Sequence, residues 1–142
     1  MTAPAPCSPS EITIPSDLTE ARRVQAAVEA ALRAGRYCDH DIFAIKLALE
    51  EALVNAIKHG NQLDRAKLVH IAFRVTVDRF DVQITDEGPG FDPDEVPDPT
   101  APENLERPCG RGLLLMRHYM TEVTYTDRGR AVCMAKVRNG VP

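Results

Sequence analysis

Residues 50–61 read Glu50-Glu51-Ala52-Leu53-Val54-Asn55-Ala56-Ile57-Lys58-His59-Gly60-Asn61. They close the longest periodic element of the chain. Phe43, Leu47, Val54 and Ile57 recur at helical period, which predicts an apolar stripe turned to the core. Ala44, Ala48, Ala52 and Ala56 add small side chains for close packing. Asp39 or Asp41 starts this helix, and Gly60 with Asn61 stops it after Lys58 and His59. Within it, Glu51 and Asn55 stand four apart and share one face. Asn55 falls in the stripe beside Val54 and Ile57, where an amide needs a partner. A neutral amide oxygen suits Mg²⁺ when substrate phosphates supply the other oxygens. Glu51, one turn earlier, then faces the reacting phosphate. The alternative is an exposed glutamate with an asparagine that caps nearby backbone. His59 and Lys58 are placed to point at the same site. The other reading of His59 is a histidine favoured by the helix C-terminal dipole.

Upstream, residues 1–10 are rich in Pro, Ala and Ser and read as a frayed tail. Glu11 to Ile14 alternates and predicts a short edge strand stopped by Pro15. Ser16 or Asp17 caps a first helix, with Glu20 placed to complete a capping box on Asp17. Leu18, Val24, Ala27, Val28, Ala31 and Leu32 form its apolar stripe, and Gly35 ends it.

Downstream, Val69, Ile71, Phe73, Val75 and Val77 alternate on one face of a strand. Phe80, Val82 and Ile84 do the same after a break at Asp78-Arg79, which predicts an antiparallel hairpin. Between Asp86 and Pro108 stand Pro89, Pro93, Pro97, Pro99, Pro102 and Pro108, with an acidic run. No regular element is expected there, and so long a loop in a compact domain reads as a lid or as disorder. Gly112 to about Met120 predicts a third helix. Glu122 to Thr126 and Ala131 to Val137 predict a closing hairpin around Asp127-Arg128-Gly129. Helices between hairpins predict an α+β sandwich with a mixed or antiparallel sheet. No βαβαβ alternation supports a Rossmann fold.

Two glycine segments complete the pattern. Asp86-Glu87-Gly88-Pro89-Gly90 follows a strand end. A carboxylate there can accept from an exocyclic amine such as that of adenine, and the glycines let backbone approach a flat ring. An ordinary Asx turn is the other reading. Gly110-Arg111-Gly112 opens the third helix, where free N–H groups and the dipole suit an anion and Arg111 adds a charged donor. A flexible hinge is the alternative. There is no Walker A loop, no Gly-x-Gly-x-x-Gly, no His-Glu-x-x-His and no Gly-x-Ser-x-Gly.

Composition narrows the classes. The chain has 142 residues, which fits one domain, with 44% hydrophobic and 27% charged residues and a net charge of −4. That balance disfavours sequence-independent nucleic-acid binding. No apolar run approaches the roughly 20 residues of a membrane span, and the N-terminus has no signal-peptide pattern. Cys7, Cys38, Cys109 and Cys133 form no Cys-x-x-Cys pair and are expected as reduced thiols in a cytoplasm.

Taken in order, these segments resemble the GHKL ATPase superfamily, which includes gyrase B, MutL and histidine-kinase ATP domains. The match is to its N-box (Glu51, Asn55), its G1 box (Asp86-x-Gly88-x-Gly90) and its G2 box (Gly110-x-Gly112), over about Asp41 to Thr126. The chain is most similar to compact bacterial anti-sigma factors that are also serine-protein kinases, the RsbW type. That likeness rests on residues 51–60 and on Gly110-Arg111-Gly112-Leu113-Leu114-Leu115-Met116. The resemblance implies a Bergerat-type fold, a two-layer α/β sandwich with a mixed or antiparallel sheet packed on helices. It implies one ATP-binding domain over residues 11–138, with a lid at about 88–109. Asn55 would hold Mg²⁺ with the ATP phosphates, and Asp86 would read adenine with Gly88 and Gly90 beside it. Gly110, Arg111, Gly112 and Leu113 would cradle the phosphates, with Lys58 and His59 as further phosphate contacts. Glu51 would take the proton from a serine hydroxyl on an anti-anti-sigma antagonist of the STAS type. The implied partners are that antagonist, a sigma factor and a second copy of the chain, without direct contact to nucleic acid or membrane. A regulatory module without kinase activity, or a switch kinase that never binds sigma, carries the same motifs. Unlike histidine kinases, the chain has no dimerisation helix with a phosphoacceptor histidine ahead of the domain.

Overall fold

The computed structural model describes residues 9–89 and 108–139, with side chains of the last helix described from Leu114 onward. The strands are β1 (Ser10–Pro15), β2 (Leu68–Val75), β3 (Arg79–Thr85), β4 (Glu122–Thr126) and β5 (Ala131–Val137). The helices are α1 (Ala21–Ala34), α2 (Asp39–Val54) and α3 (Pro108–Tyr119). The sheet order is β1-β2-β3-β5-β4, and every neighbouring pair is antiparallel. β1 is an edge strand, as its length and closing proline predict. Of the expected frayed tail (residues 1–10), residues 1–8 lie outside the described residues and Ser10 belongs to β1 instead; most of the expected lid (residues 90–107) lies outside the described residues as well.

Alternation builds the inner face of the sheet. Val69, Ile71 and Phe73 of β2 are buried, as are Phe80, Val82 and Ile84 of β3 and Val132 and Met134 of β5. The registers place Ile71 opposite Ile84 and Phe73 opposite Val82, so these side chains stack across strands. Val24, Val28 and Leu32 of α1 cover this face together with Ile45, Leu49 and Leu53 of α2 and Met116 of α3. Fully burying one such side chain contributes roughly 1.5–3 kcal/mol, which is why a helix layer stays on the sheet without covalent staples.

Four expectations are corrected. The stripe of α2 is rotated. Phe43 is 61% exposed and Leu47 and Val54 are half-buried, while Ile57 is buried as expected and the core takes Ile42, Ile45, Leu49 and Leu53. Leu18 is exposed in a 3₁₀ turn (Leu18–Glu20) that Asp17 caps by accepting from the Thr19 N–H, while Glu20 pairs with Arg23 rather than closing a capping box. Gly35 ends α1 as expected, with an ordinary φ of −80°, and the left-handed residue that follows it is Arg36 at φ 61°. The β2–β3 hairpin turns at Val77-Asp78, one residue earlier than expected, because the Thr76 N–H bonds to the Arg79 carbonyl. The third helix also starts at Pro108, which takes Gly110-Arg111-Gly112 into its first turns.

Candidate nucleotide-binding site

The helix quoted at the outset does not run evenly to its stop. α2 ends at Val54, and Asn55–Gly60 winds as a π-helix. Its wider turn closes with the Asn61 N–H on the Ala56 carbonyl at 2.9 Å, five residues back. Single π turns within helices are frequent at functional sites. Here the widening buries Ala56 and Ile57 together and leaves Asn55 and His59 half-buried, with Lys58 exposed. Glu51 is half-buried one turn before Asn55.

Asn55 carries an orphaned group. Its Nδ2 is shut off from solvent and has no hydrogen-bond partner among the described residues. The two ends of an amide exchange by a flip, so the side chain holds one polar end in reserve for a ligand. Among the described residues, no three His, Cys, Asp or Glu side chains cluster as a metal site. A Mg²⁺ ion beside Asn55 would thus draw its remaining oxygens from phosphates and water, which is how this ion is commonly held. The donor set fits the ion.

His59 shares this side of the helix end with Glu51. Burial holds its imidazole below the usual value, Lys58 adds to that, and the Glu51 carboxylate opposes it. His59 is thereby neutral near neutral pH and offers a ring N–H rather than a charge.

The π turn delivers Gly60 against the segment that follows β3. Asp86 donates its N–H to the Arg130 carbonyl at 2.9 Å, and its Oδ1 accepts the Gly88 N–H at 2.8 Å. Burial pushes the Asp86 carboxyl above its ordinary value. The Gly88 N–H, Arg130 and Lys67 work against that rise, and Asp127 adds to it. The packing here tolerates nothing larger than glycine. A Cβ on Gly60 would meet Asp86 Oδ2 at 2.5 Å, and one on Gly88 would meet the Gly60 carbonyl oxygen at 2.0 Å. Asp86, Gly60 and Gly88 therefore form one closely packed unit around a half-buried carboxylate.

Two residues that the motifs do not contain hold this unit together. Asn61 is fully buried. It donates to Ser16 Oγ at 2.9 Å and to the Leu68 carbonyl at 3.0 Å, and its Oδ1 accepts the Glu87 N–H at 2.8 Å. Arg130 donates from Nε to the Gly88 carbonyl at 2.7 Å. Asn61 stands in the sequence as a helix stop, and nothing there signals a clamp.

The remaining candidates are placed only by their elements. Gly110, Arg111, Gly112 and Leu113 lie on α3, whose backbone packs against α2 and the π turn, but their side chains fall outside the described set. Gly90 lies outside the described residues altogether. Among the described residues, no helix is long and apolar enough to cross a membrane, and Cys38 and Cys133 are free thiols.

A model of the histidine kinase-like ATPase domain matches residues 14–136. The serine-protein kinase RsbW of Staphylococcus aureus (strain bovine RF122 / ET3-1) is 34% identical over 112 residues, covering 73% of this chain and 70% of that protein. The serine/threonine-protein kinase BtrW of Bordetella bronchiseptica is 32% identical over 88 residues, covering 61% of this chain and 62% of that protein. Among solved structures, the RsbU and RsbW domains of Rv1364c from Mycobacterium tuberculosis share the fold with a TM-score of 0.63 at 18% identity. That match covers 94% of this chain and 32% of the other, so the chain spans about a third of its structural neighbour.

Proposed function

The chain belongs to the histidine kinase-like ATPase family and, within it, to the RsbW-type serine-protein kinases, and from that premise we propose an ATP-dependent kinase that doubles as an anti-sigma factor. It acts in the cytoplasm as a homodimer, sequesters a sigma factor, and phosphorylates a serine on an anti-anti-sigma antagonist of the STAS type. Residues 11–138 work as one nucleotide-binding unit with a lid at about 88–109.

Asp86 accepts a hydrogen bond from the exocyclic amine of adenine, and Gly88 and Gly90 let backbone lie against the ring. Gly110, Arg111, Gly112 and Leu113 hold the phosphates at the start of α3, with Lys58 and His59 as further contacts. Asn55 and the phosphates would hold Mg²⁺, which neutralises charge on the transferring group when bound. Glu51 takes the proton from the serine hydroxyl as its oxygen attacks the γ-phosphorus. The bond to the bridging oxygen breaks and ADP leaves.

The observation that carries this reading is the junction of the π turn with the Asp86 segment. A buried Asn55 Nδ2 without a partner among the described residues and a packed Gly60–Asp86–Gly88 unit lie at the two ends of the π turn. Such a junction supplies an oxygen for a phosphate-bound ion and an acceptor for a purine amine.

Glu51 and Glu50 make the test. Glu50 lies about 100° round the helix. It is exposed and accepts from Gln25 of α1. With γ-labelled ATP and the antagonist, Glu51→Gln should lower transfer at least ~100-fold, while Mg-ATP affinity changes little. Glu50→Gln should transfer as the parent does. A parent protein that binds ATP and labels no antagonist would make the chain a regulatory module. Labelling without capture of any sigma factor would make it a switch kinase.

A further inference from the structure

The turn between β4 and β5 carries three consecutive left-handed residues, Asp127 at φ 49°, Arg128 at φ 56° and Gly129 at φ 81°. Glycine adopts this region freely, but for the other two it is strained. Such strain persists where the surrounding structure over-determines it, often at a functional site. What this turn delivers is Arg130. Its Nε donates to the Gly88 carbonyl at 2.7 Å and its Nη2 to the Pro89 carbonyl at 3.3 Å. Its own carbonyl accepts the Asp86 N–H at 2.9 Å. One residue thus grips the Asp86–Pro89 turn at both ends. Asp127 closes on Arg130 Nη1 at 3.5 Å and helps fix the aim of the fork.

We infer that Arg130 is a positioning residue for nucleotide recognition: it holds the Asp86–Pro89 turn in the shape that presents the Asp86 carboxylate to a purine amine, and the β4–β5 turn bears its strain to aim that guanidinium. The inference rests on the reading of Asp86 as the adenine acceptor. A guanidinium suits the task because its planar fork reaches two carbonyls at once, which a lysine ammonium on a flexible stem does not reproduce. Arg130 also faces the Asp86 carboxyl electrostatically. The charged groups that act on Asp86 are Arg130 and Asp127 from the β4–β5 turn and Lys67 from the segment before β2. Among the charges that oppose burial, Arg130 has the larger effect, ahead of Lys67.

Calorimetric titration of the full chain with Mg-ATP, from mildly acid to neutral pH, separates the possibilities. Arg130→Lys and Arg130→Met should each weaken ATP about tenfold at neutral pH, since a turn in its competent shape a tenth of the time raises the apparent dissociation constant by that factor. The two variants should then part. In Arg130→Met the acid loss of affinity begins at higher pH, because the charge opposing burial is gone. In Arg130→Lys it begins where it does in the parent. A role confined to stability would lower melting temperatures and leave that pH profile in place, which would overturn the inference, as would parent-like affinity in Arg130→Met. If the parent binds ATP but Asp86→Asn binds it equally well, the adenine reading itself fails, and the inference with it.

Discussion

Gly60 has no room for a side chain, and the atoms in the way belong to the residue expected to read the base. A Cβ there would stand 2.6 Å from Asp86 Cγ and 2.9 Å from Asp86 Oδ1. Asp86 is short, and the Gly88 N–H holds one of its oxygens, so the carboxylate must swing away. Misplacing a group by about 1 Å can remove two orders of magnitude in function. Gly60→Ala should therefore lower ATP affinity by about tenfold or more. Gly35→Ala is the control. Its Cβ would press on Val75 Cγ1 at 3.1 Å, in the region where α1 meets β2. That variant should bind ATP as the parent does, even if its melting temperature shifts. Equal affinities of the two variants, read by calorimetry, would show that Asp86 need not stay where the structure has it.

At the scale of elements, Asn61 is the joint on which the site turns. It stands just past the π turn and ties that turn to the end of β1, the start of β2 and the segment after β3 through its three side-chain bonds. Removing it leaves the part-buried Glu87 N–H and the Leu68 carbonyl short of a partner. Asn61→Ala should reduce stability by roughly 2–4 kcal/mol, seen as a lower urea midpoint with an unchanged slope. Ser16→Ala should lose only about 1 kcal/mol. The double variant should lose less than the sum, because the two share one bond. Periodicity made most elements legible before any coordinates. Alternation in β2 and β3 left one way to face the core, and the stripe of α1 came through at Val24, Val28 and Leu32. In α2 the period was readable and the phase was not. Apolar residues lie on most sides of that helix, so spacing fixes a helix without fixing which face is buried. Nothing in residues 55–60 distinguishes a π turn from an α turn. Glu51, Asn55, Asp86 and Gly88 were legible because their spacing is short and local. Arg130 was not, because its partner Gly88 stands 42 residues away and only the sheet brings them together.

For the whole molecule, the buried core and the candidate site pull on stability in opposite senses. The core is closed by side chains of α1, α2, α3 and the sheet, and a bound nucleotide adds to stability by mass action. Saturation at a hundred times the dissociation constant is worth roughly 2.7 kcal/mol. Asp86 works the other way in the free protein. Its carboxyl titrates above the ordinary value because burial disfavours the charge. Well below the ordinary carboxylate range, both folded and unfolded chains hold the proton and burial costs little. As pH climbs toward the raised folded value, the unfolded chain has already ionised, while the folded chain must ionise in a half-buried place. Stability contributed by this group is therefore lost as pH rises through that window. Asp86→Asn keeps an oxygen for the Gly88 N–H and carries no charge to bury. Without nucleotide, Asp86→Asn should thus melt above the parent at neutral pH, and the gap should close in acid. With saturating Mg-ATP the order should reverse, because only the parent keeps the charged acceptor for the adenine amine. Melting curves at both pH values, with and without Mg-ATP, read all four terms. A parent that outlasts Asp86→Asn in the absence of nucleotide at neutral pH would mean that the buried carboxylate is fully compensated by Arg130, Lys67 and the Gly88 N–H. If Mg-ATP failed to reverse the order, Asp86 would not be the residue that reads the base.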